Sequence, residues 1–197
     1  LRAALGPVLA DPALAGAAVA VRDGSTGAHL LDVAADAGRV PASTAKLLSA
    51  TAIDSVLPGD AQLVTAVVQG AAPDRIVLVA GGDMLLSPDR GDPLAVPGRA
   101  GLAELADAVA AALKAQGRAS AVLQVDAAYA PGPTSAATWP ARFLATGITG
   151  PVAMLGLATH RALPDHPGAA DPVAEVAATL AARLGERGIP TQIDPAA

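Results

Sequence analysis

Near the start of the chain, apolar positions gather into two short runs, Gly16-Ala-Ala-Val-Ala-Val-Arg22 and Ala28-His-Leu-Leu-Asp-Val33, on either side of Asp23-Gly-Ser-Thr-Gly27. Runs of strand length around a glycine-bounded turn containing Asp-Gly predict a β-hairpin. Ahead of it, residues 2–14 predict a short helix interrupted at Gly6-Pro7, because proline removes a helical N–H and crowds the preceding turn. After it, Pro41-Ala-Ser-Thr-Ala-Lys-Leu-Leu-Ser-Ala-Thr-Ala-Ile53 has good helix formers with proline ahead of the first turn, and Pro58-Gly59 ends the element.

A different pattern follows. Gln62 to Val68 and Arg75 to Ala80 predict strands separated by Gly70-Ala-Ala-Pro73, and Gly81-Gly-Asp83 breaks the second one. Leu86 to Pro97 is rich in Pro, Asp and Gly and predicts a loop. Leu102, Leu105, Ala106, Val109 and Leu113 recur at helical spacing, so Leu102 to Ala115 predicts an amphipathic helix. Ala121 to Val125 predicts a strand, residues 130–141 with three prolines an irregular stretch, and Pro172 to Glu186 a second amphipathic helix stopped by Gly188. The pattern sets a boundary near residues 58–61. It predicts an α/β (α+β) chain with an N-terminal segment, 1–60, and a separate α/β unit, 61–193.

Composition narrows the function classes. The 197 residues are 52% hydrophobic but only 2% aromatic, so the core must be built from Ala, Val and Leu. The net charge is −5, and no basic run with interleaved aromatics exists among the arginines. That speaks against a nucleic-acid surface, which needs clustered cations for phosphate. The absence of cysteine excludes thiol catalysis and thiolate metal sites. No apolar run reaches the roughly 18 residues of a transmembrane helix. The chain begins at Leu1 without a methionine, so a processed product that has lost any export signal is expected.

The candidate chemistry lies at Ser43 and Lys46. A serine hydroxyl needs a neighbouring base to become a nucleophile. Residues three apart on a helix share a face, so Lys46 can reach Ser43. A lysine serves as base when burial or a nearby cation withdraws its proton. Ser43 also falls in the first helical turn, where unpaired N–H groups favour a developing oxyanion. The plainer reading makes Ser43 an N-cap and Lys46 a solvated side chain. Random placement of the serines and the two lysines would give Ser-x-x-Lys about 0.07 times.

The surroundings carry more. Pro41-Ala-Ser-Thr-Ala-Lys-Leu-Leu-Ser-Ala50 resembles the active-site segment of the S13 family of penicillin-binding D-alanyl-D-alanine carboxypeptidases, in which Pro-Ala-Ser-x-x-Lys precedes Leu-Leu-Thr-Ala. Leu78-Val-Ala-Gly-Gly-Asp-Met-Leu-Leu-Ser87 is similar to that family's Gly-Gly-Asp-Pro-x-Leu stretch, with Met84 where proline is usual. Val125-Asp126, Tyr129, Gly132-Pro133, Trp139 and Gly150-Pro-Val-Ala-Met-Leu155 resemble its later landmarks, in order.

The resemblance implies that Ser43 is the nucleophile and Lys46 its proton acceptor. It implies that residues 1–60 begin a β-lactamase-like serine peptidase domain and that 61–193 are an inserted domain. It also implies action on peptidoglycan stem peptides outside the cytoplasm, through an acyl-enzyme that β-lactams also form, with no metal or organic cofactor. The family completes its site with Ser-x-Asn and Lys-Thr-Gly. This sequence has no asparagine, and its other lysine, Lys114, is followed by Ala115-Gln116. The expectation is therefore a truncated peptidase, inactive by itself.

A class A β-lactamase shares Ser-x-x-Lys but needs Ser-Asp-Asn soon after it. A non-catalytic cell-wall binding module is the other alternative. His160 and His166 lie in a Pro-rich loop and read as solvated, since no third metal ligand is near in sequence; His29 falls in the hairpin. Asp83 and Asp126 read as turn residues bonding their own backbone.

Overall fold

In the computed structural model, which describes residues 1–194, the first helix runs through the proline expected to interrupt it. Helix α1, Arg2–Leu9, contains Pro7. Proline forfeits one intrahelical bond, but Leu5 N–H to Leu1 O and Ala10 N–H to Gly6 O, both 3.0 Å, hold the turns on either side. The break falls instead at Asp11, whose side chain accepts from Ala13 N–H at 2.8 Å and caps a 3-10 turn, Pro12–Leu14.

The chain divides into two compact units, Leu1–Ala61 and Gln62–Ala197. In the first, β1 (Val19–Arg22) and β2 (His29–Val33) form an antiparallel hairpin with Val21 opposite Leu31. Leu31 is its buried residue. Helix α2, Ala45–Val56, follows and buries none of its residues. Leu47, Leu48, Ile53 and Val56 are all more than half exposed.

Asp23 organises the hairpin turn. Its Oδ1 accepts the backbone N–H groups of Ser25 and Thr26 at 3.0 and 2.8 Å and both hydroxyls at 2.6 and 2.9 Å. These bonds, led by the Ser25 hydroxyl, favour the ionised form and hold the carboxyl far below its ordinary range. With the folded value beneath the unfolded one of about 3.9, the stabilisation is present above about pH 4 and fades as pH falls through the folded value. A 13C NMR titration is expected to place the Asp23 midpoint well below that of an ordinary aspartate; an ordinary midpoint would remove Asp23 as organiser of the turn.

The second unit is mixed α/β. Strands β3 (Ala66–Gln69), β4 (Arg75–Val79), β6 (Ala121–Asp126) and β8 (Thr191–Ile193) form one sheet in the order β3-β4-β6-β8. β3 is antiparallel to β4, and the other pairs are parallel. Helix α3 (Leu102–Ala115) connects β4 to β6, and α5 (Pro172–Glu186) connects β6 to β8. Both crossovers step the same way across the sheet, so right-handed connections put both helices on one face. That face holds the core: Ile76 and Leu78 of β4 and Leu123 of β6 against Leu102, Ala106 and Leu113 of α3 and Val176, Leu180 and Leu184 of α5.

Strand alternation leaves Arg75 and Gln124 on the opposite face, where both bond Asp194 at 2.5 and 3.1 Å and tie β4 and β6 to the segment following β8. Beside this sheet lie a parallel pair, β5 (Asp83–Leu86) with β7 (Leu155–Leu157), and the one-turn helix α4, Arg142–Ala145.

The two long helices keep their expected bounds. Residues 130–141 are irregular, as expected. The short elements β5, β7, β8 and α4 were not expected, and β8 pairs in the same sheet as β4 and β6.

The Gly-Gly-Asp stretch has a physical cause. A Cβ on Gly81 would sit 2.1 Å from the Val64 carbonyl oxygen, so the chain entering β3 crosses directly over this backbone. Gly82 follows at φ +101°, a conformation that side chains disfavour. Asp83 then accepts from Leu85 N–H at 2.8 Å. Asp126 bonds Ala128 N–H in the same way at 3.0 Å. Both aspartates hold their own turns.

Candidate active site

Ser43 does not sit inside the α-helix. It lies in a 3-10 turn, Ala42–Thr44, that leads into α2. The Thr44 backbone N–H donates to the Pro41 carbonyl at 3.0 Å, and the Thr44 hydroxyl donates to the same oxygen at 2.5 Å. Ala42 has φ +45°, in the left-handed region. A non-glycine residue there costs about 1–2 kcal/mol, so strain is concentrated one residue before Ser43. Nothing in an alanine signals this in the sequence, where glycine is the usual mark of positive φ.

Lys46 occupies the first turn of α2 and points back to the serine. Its Nζ donates to Ser43 Oγ at 3.0 Å. Both residues are exposed. The i,i+3 spacing therefore brings nucleophile and base into hydrogen-bond contact, within the reach required for proton transfer. It does not supply the desolvation on which a lysine base depends. Among the described residues Ser43 and Lys46 are the chemistry-bearing pair at this helix end, and no third polar side chain bonds either one.

The other candidates have partners of their own. His29 Nδ1 meets Asp32 Oδ2 at 2.7 Å, and the Arg22 guanidinium donates to Asp32 Oδ1 at 2.6 Å. Arg22 first and His29 second hold the Asp32 carboxyl below its usual range. His160 is exposed but not free: its Nδ1 meets Glu175 Oε2 of α5 at 2.7 Å. No group of three His, Asp or Glu among the described residues could hold a metal ion. No described helix is long and apolar enough to cross a membrane.

The chain as a whole is similar to known proteins. Residues 1–191 match the sequence profile of the D-Ala-D-Ala carboxypeptidase 3 (S13) family, and the chain belongs to that family. Among its relatives is carboxypeptidase Rv3627c of Mycobacterium tuberculosis, 35% identical over 156 residues, which are 76% of this chain and 32% of the relative. The chain thus spans about a third of the length of that protein. No solved structure matches it.

Proposed function

We propose that these residues form the opening portion of a serine-type D-Ala-D-Ala carboxypeptidase that acts on peptidoglycan stem peptides outside the cytoplasm. On this reading Leu1–Ala61 begins a β-lactamase-like peptidase domain, and the α/β unit from Gln62 is inserted into it. The observation that carries the reading is the 3.0 Å contact between Lys46 Nζ and Ser43 Oγ at the head of α2.

With Lys46 neutral in the completed cleft, Ser43 Oγ attacks the carbonyl joining two D-alanines and passes its proton to Lys46. The C–N bond breaks, and Lys46 returns the proton to the departing amine. The acyl group stays on Ser43 as an ester until water attacks it and restores the hydroxyl. A β-lactam acylates the same oxygen by ring opening and leaves more slowly. The remaining oxyanion donors and the walls that desolvate Lys46 come from polypeptide bearing Ser-x-Asn and Lys-Thr-Gly, which these 197 residues do not contain.

Two measurements test this. A polypeptide extended to include both motifs releases D-alanine from an acyl-D-Ala-D-Ala peptide and is labelled by a fluorescent penicillin. Failure of both reactions in a folded extended protein overturns the proposal and favours a non-catalytic cell-wall binding module. Residues 1–197 alone are expected to show no mass increase after incubation with excess benzylpenicillin, because acylation needs oriented donors as well as a nucleophile. A stoichiometric adduct on Ser43 would show that the first unit builds a working site unaided.

A further inference from the structure

In the second unit, the β5–β7 pair and the loops after α4 line a cavity of about 440 Å3. Its walls are small and mostly apolar: Met84 from β5, Gly156 from β7, Gly150 and Val152 from the preceding loop, and Ala162 and Gly168 beyond. The glycines let neighbouring wall segments approach closely. A Cβ on Gly156 would lie 3.0 Å from Met84 Cε, and one on Gly168 would lie 3.0 Å from Ala162 N and 3.4 Å from Ala162 Cβ. Met84 stands where the family stretch usually has proline, so a flexible thioether able to adapt to a guest lines this wall.

A second hollow of about 670 Å3 shares His160, Arg161, Gly168 and Ala169 with the first, so the two meet along one rim. That rim carries donors without a protein partner among the described residues. Arg161 is exposed and has no ion-pair or hydrogen-bond partner among the described residues. The backbone N–H groups of Ala162 and Gly168, two residues that line the first cavity, bond no acceptor among the described residues either. His160 is already engaged by Glu175.

From this we infer a non-catalytic binding groove for a short peptide with small aliphatic side chains and a free C-terminal carboxylate. The carboxylate is held by Arg161 and the two N–H groups, and the methyl-sized side chains enter the apolar hollow. One unpaired guanidinium with two amide donors suits a single carboxylate. Walls of Gly, Ala, Val and Met favour methyl groups over rings, and the volume falls within the usual range for small-ligand sites. A stem peptide ending in D-alanine has this chemistry. That identification of the ligand rests on the proposed function, whereas the groove itself does not.

The test is a titration of 15N-labelled residues 1–197 with acetyl-D-Ala-D-Ala, followed by amide shifts. Saturable shifts at Gly150, Gly156, Ala162 and Gly168 are expected. Affinity should fall at least about tenfold when the peptide carries a C-terminal amide, and by a similar factor in Arg161→Glu. Arg161→Gln gives the same readout should the charge reversal disturb the fold.

The absence of saturable shifts at these residues, their confinement to the Ser43–Lys46 segment, or equal binding by the amide or the Arg161 variants overturns the groove. Acylation of Ser43 in the extended polypeptide is read separately, so failure of the groove and failure of the proposed enzyme give different results.

Discussion

Ser43→Ala in a polypeptide that completes the cleft is expected to abolish labelling by a fluorescent penicillin, because among the described residues no other hydroxyl lies against a lysine at a helix head. Lys46→Ala should leave a slow residual reaction, reduced by at least about 10²-fold, the usual scale for loss of a general base. The two variants separate the roles. The serine supplies the atom that becomes the ester, and its loss has no remedy; the lysine only moves a proton, and raised pH should recover part of its contribution. Undiminished labelling of the Ser43→Ala protein would assign the nucleophile elsewhere. A Lys46→Ala protein that acylates at the parent rate would reduce the 3.0 Å contact to a helix-end hydrogen bond.

The same chemical change at two glycines of the second unit should have opposite signs. Gly81→Ala places a methyl 2.1 Å from the Val64 carbonyl oxygen, with backbone on both sides of the clash. The clash is between two backbone segments that adjoin β3 and β4, and neither can yield without shifting its strand, so a loss of about 1–3 kcal/mol or more is expected, as for other overpacked positions. Gly185 lies near the end of α5, and a methyl group added there would meet nothing within 4 Å. There alanine should gain up to about 1 kcal/mol from its higher helix propensity. Urea unfolding followed by Trp139 fluorescence measures both. A neutral Gly81→Ala variant would mean that the crossing at Val64 is loose, and the Gly-Gly pair would need another explanation.

The elements legible in the sequence are those whose burial repeats over several turns. The bounds of α3 and α5 follow from such repeats, although the buried face of α3 is made of alanines as well as Leu102 and Leu113. Ala103 and Ala110 are buried, whereas Leu105 and Val109 pack only partly against the core. Alanine is too common in this chain for its position to mark a face. The hairpin was legible through its turn chemistry, since Asp23 and Gly27 do the bonding and bending that their types suggest.

The short strands were not legible. β5 and β7 are 4 and 3 residues long, and what makes them strands is pairing with a partner some seventy positions away, which has no local pattern. At the candidate site the spacing of Ser43 and Lys46 predicted their contact. The 3-10 turn and the left-handed Ala42 depend on local backbone bonding that side-chain types do not announce.

The strand register of the second unit bears on how such a module can be carried by another protein. Ala66, where the sheet begins, is paired with Val79 at the end of β4, and β8 runs in the same direction as β4. The incoming and outgoing connections therefore lie toward the same end of the sheet, on its two edge strands. Three strand spacings separate them, about 15 Å, a gap that roughly five extended residues can bridge. On the proposed insertion, the host fold need open only one surface loop to accept the module, and closing that loop again would not force its own strands apart. Such a module can be gained, lost or exchanged during evolution while the host's backbone path stays as it was.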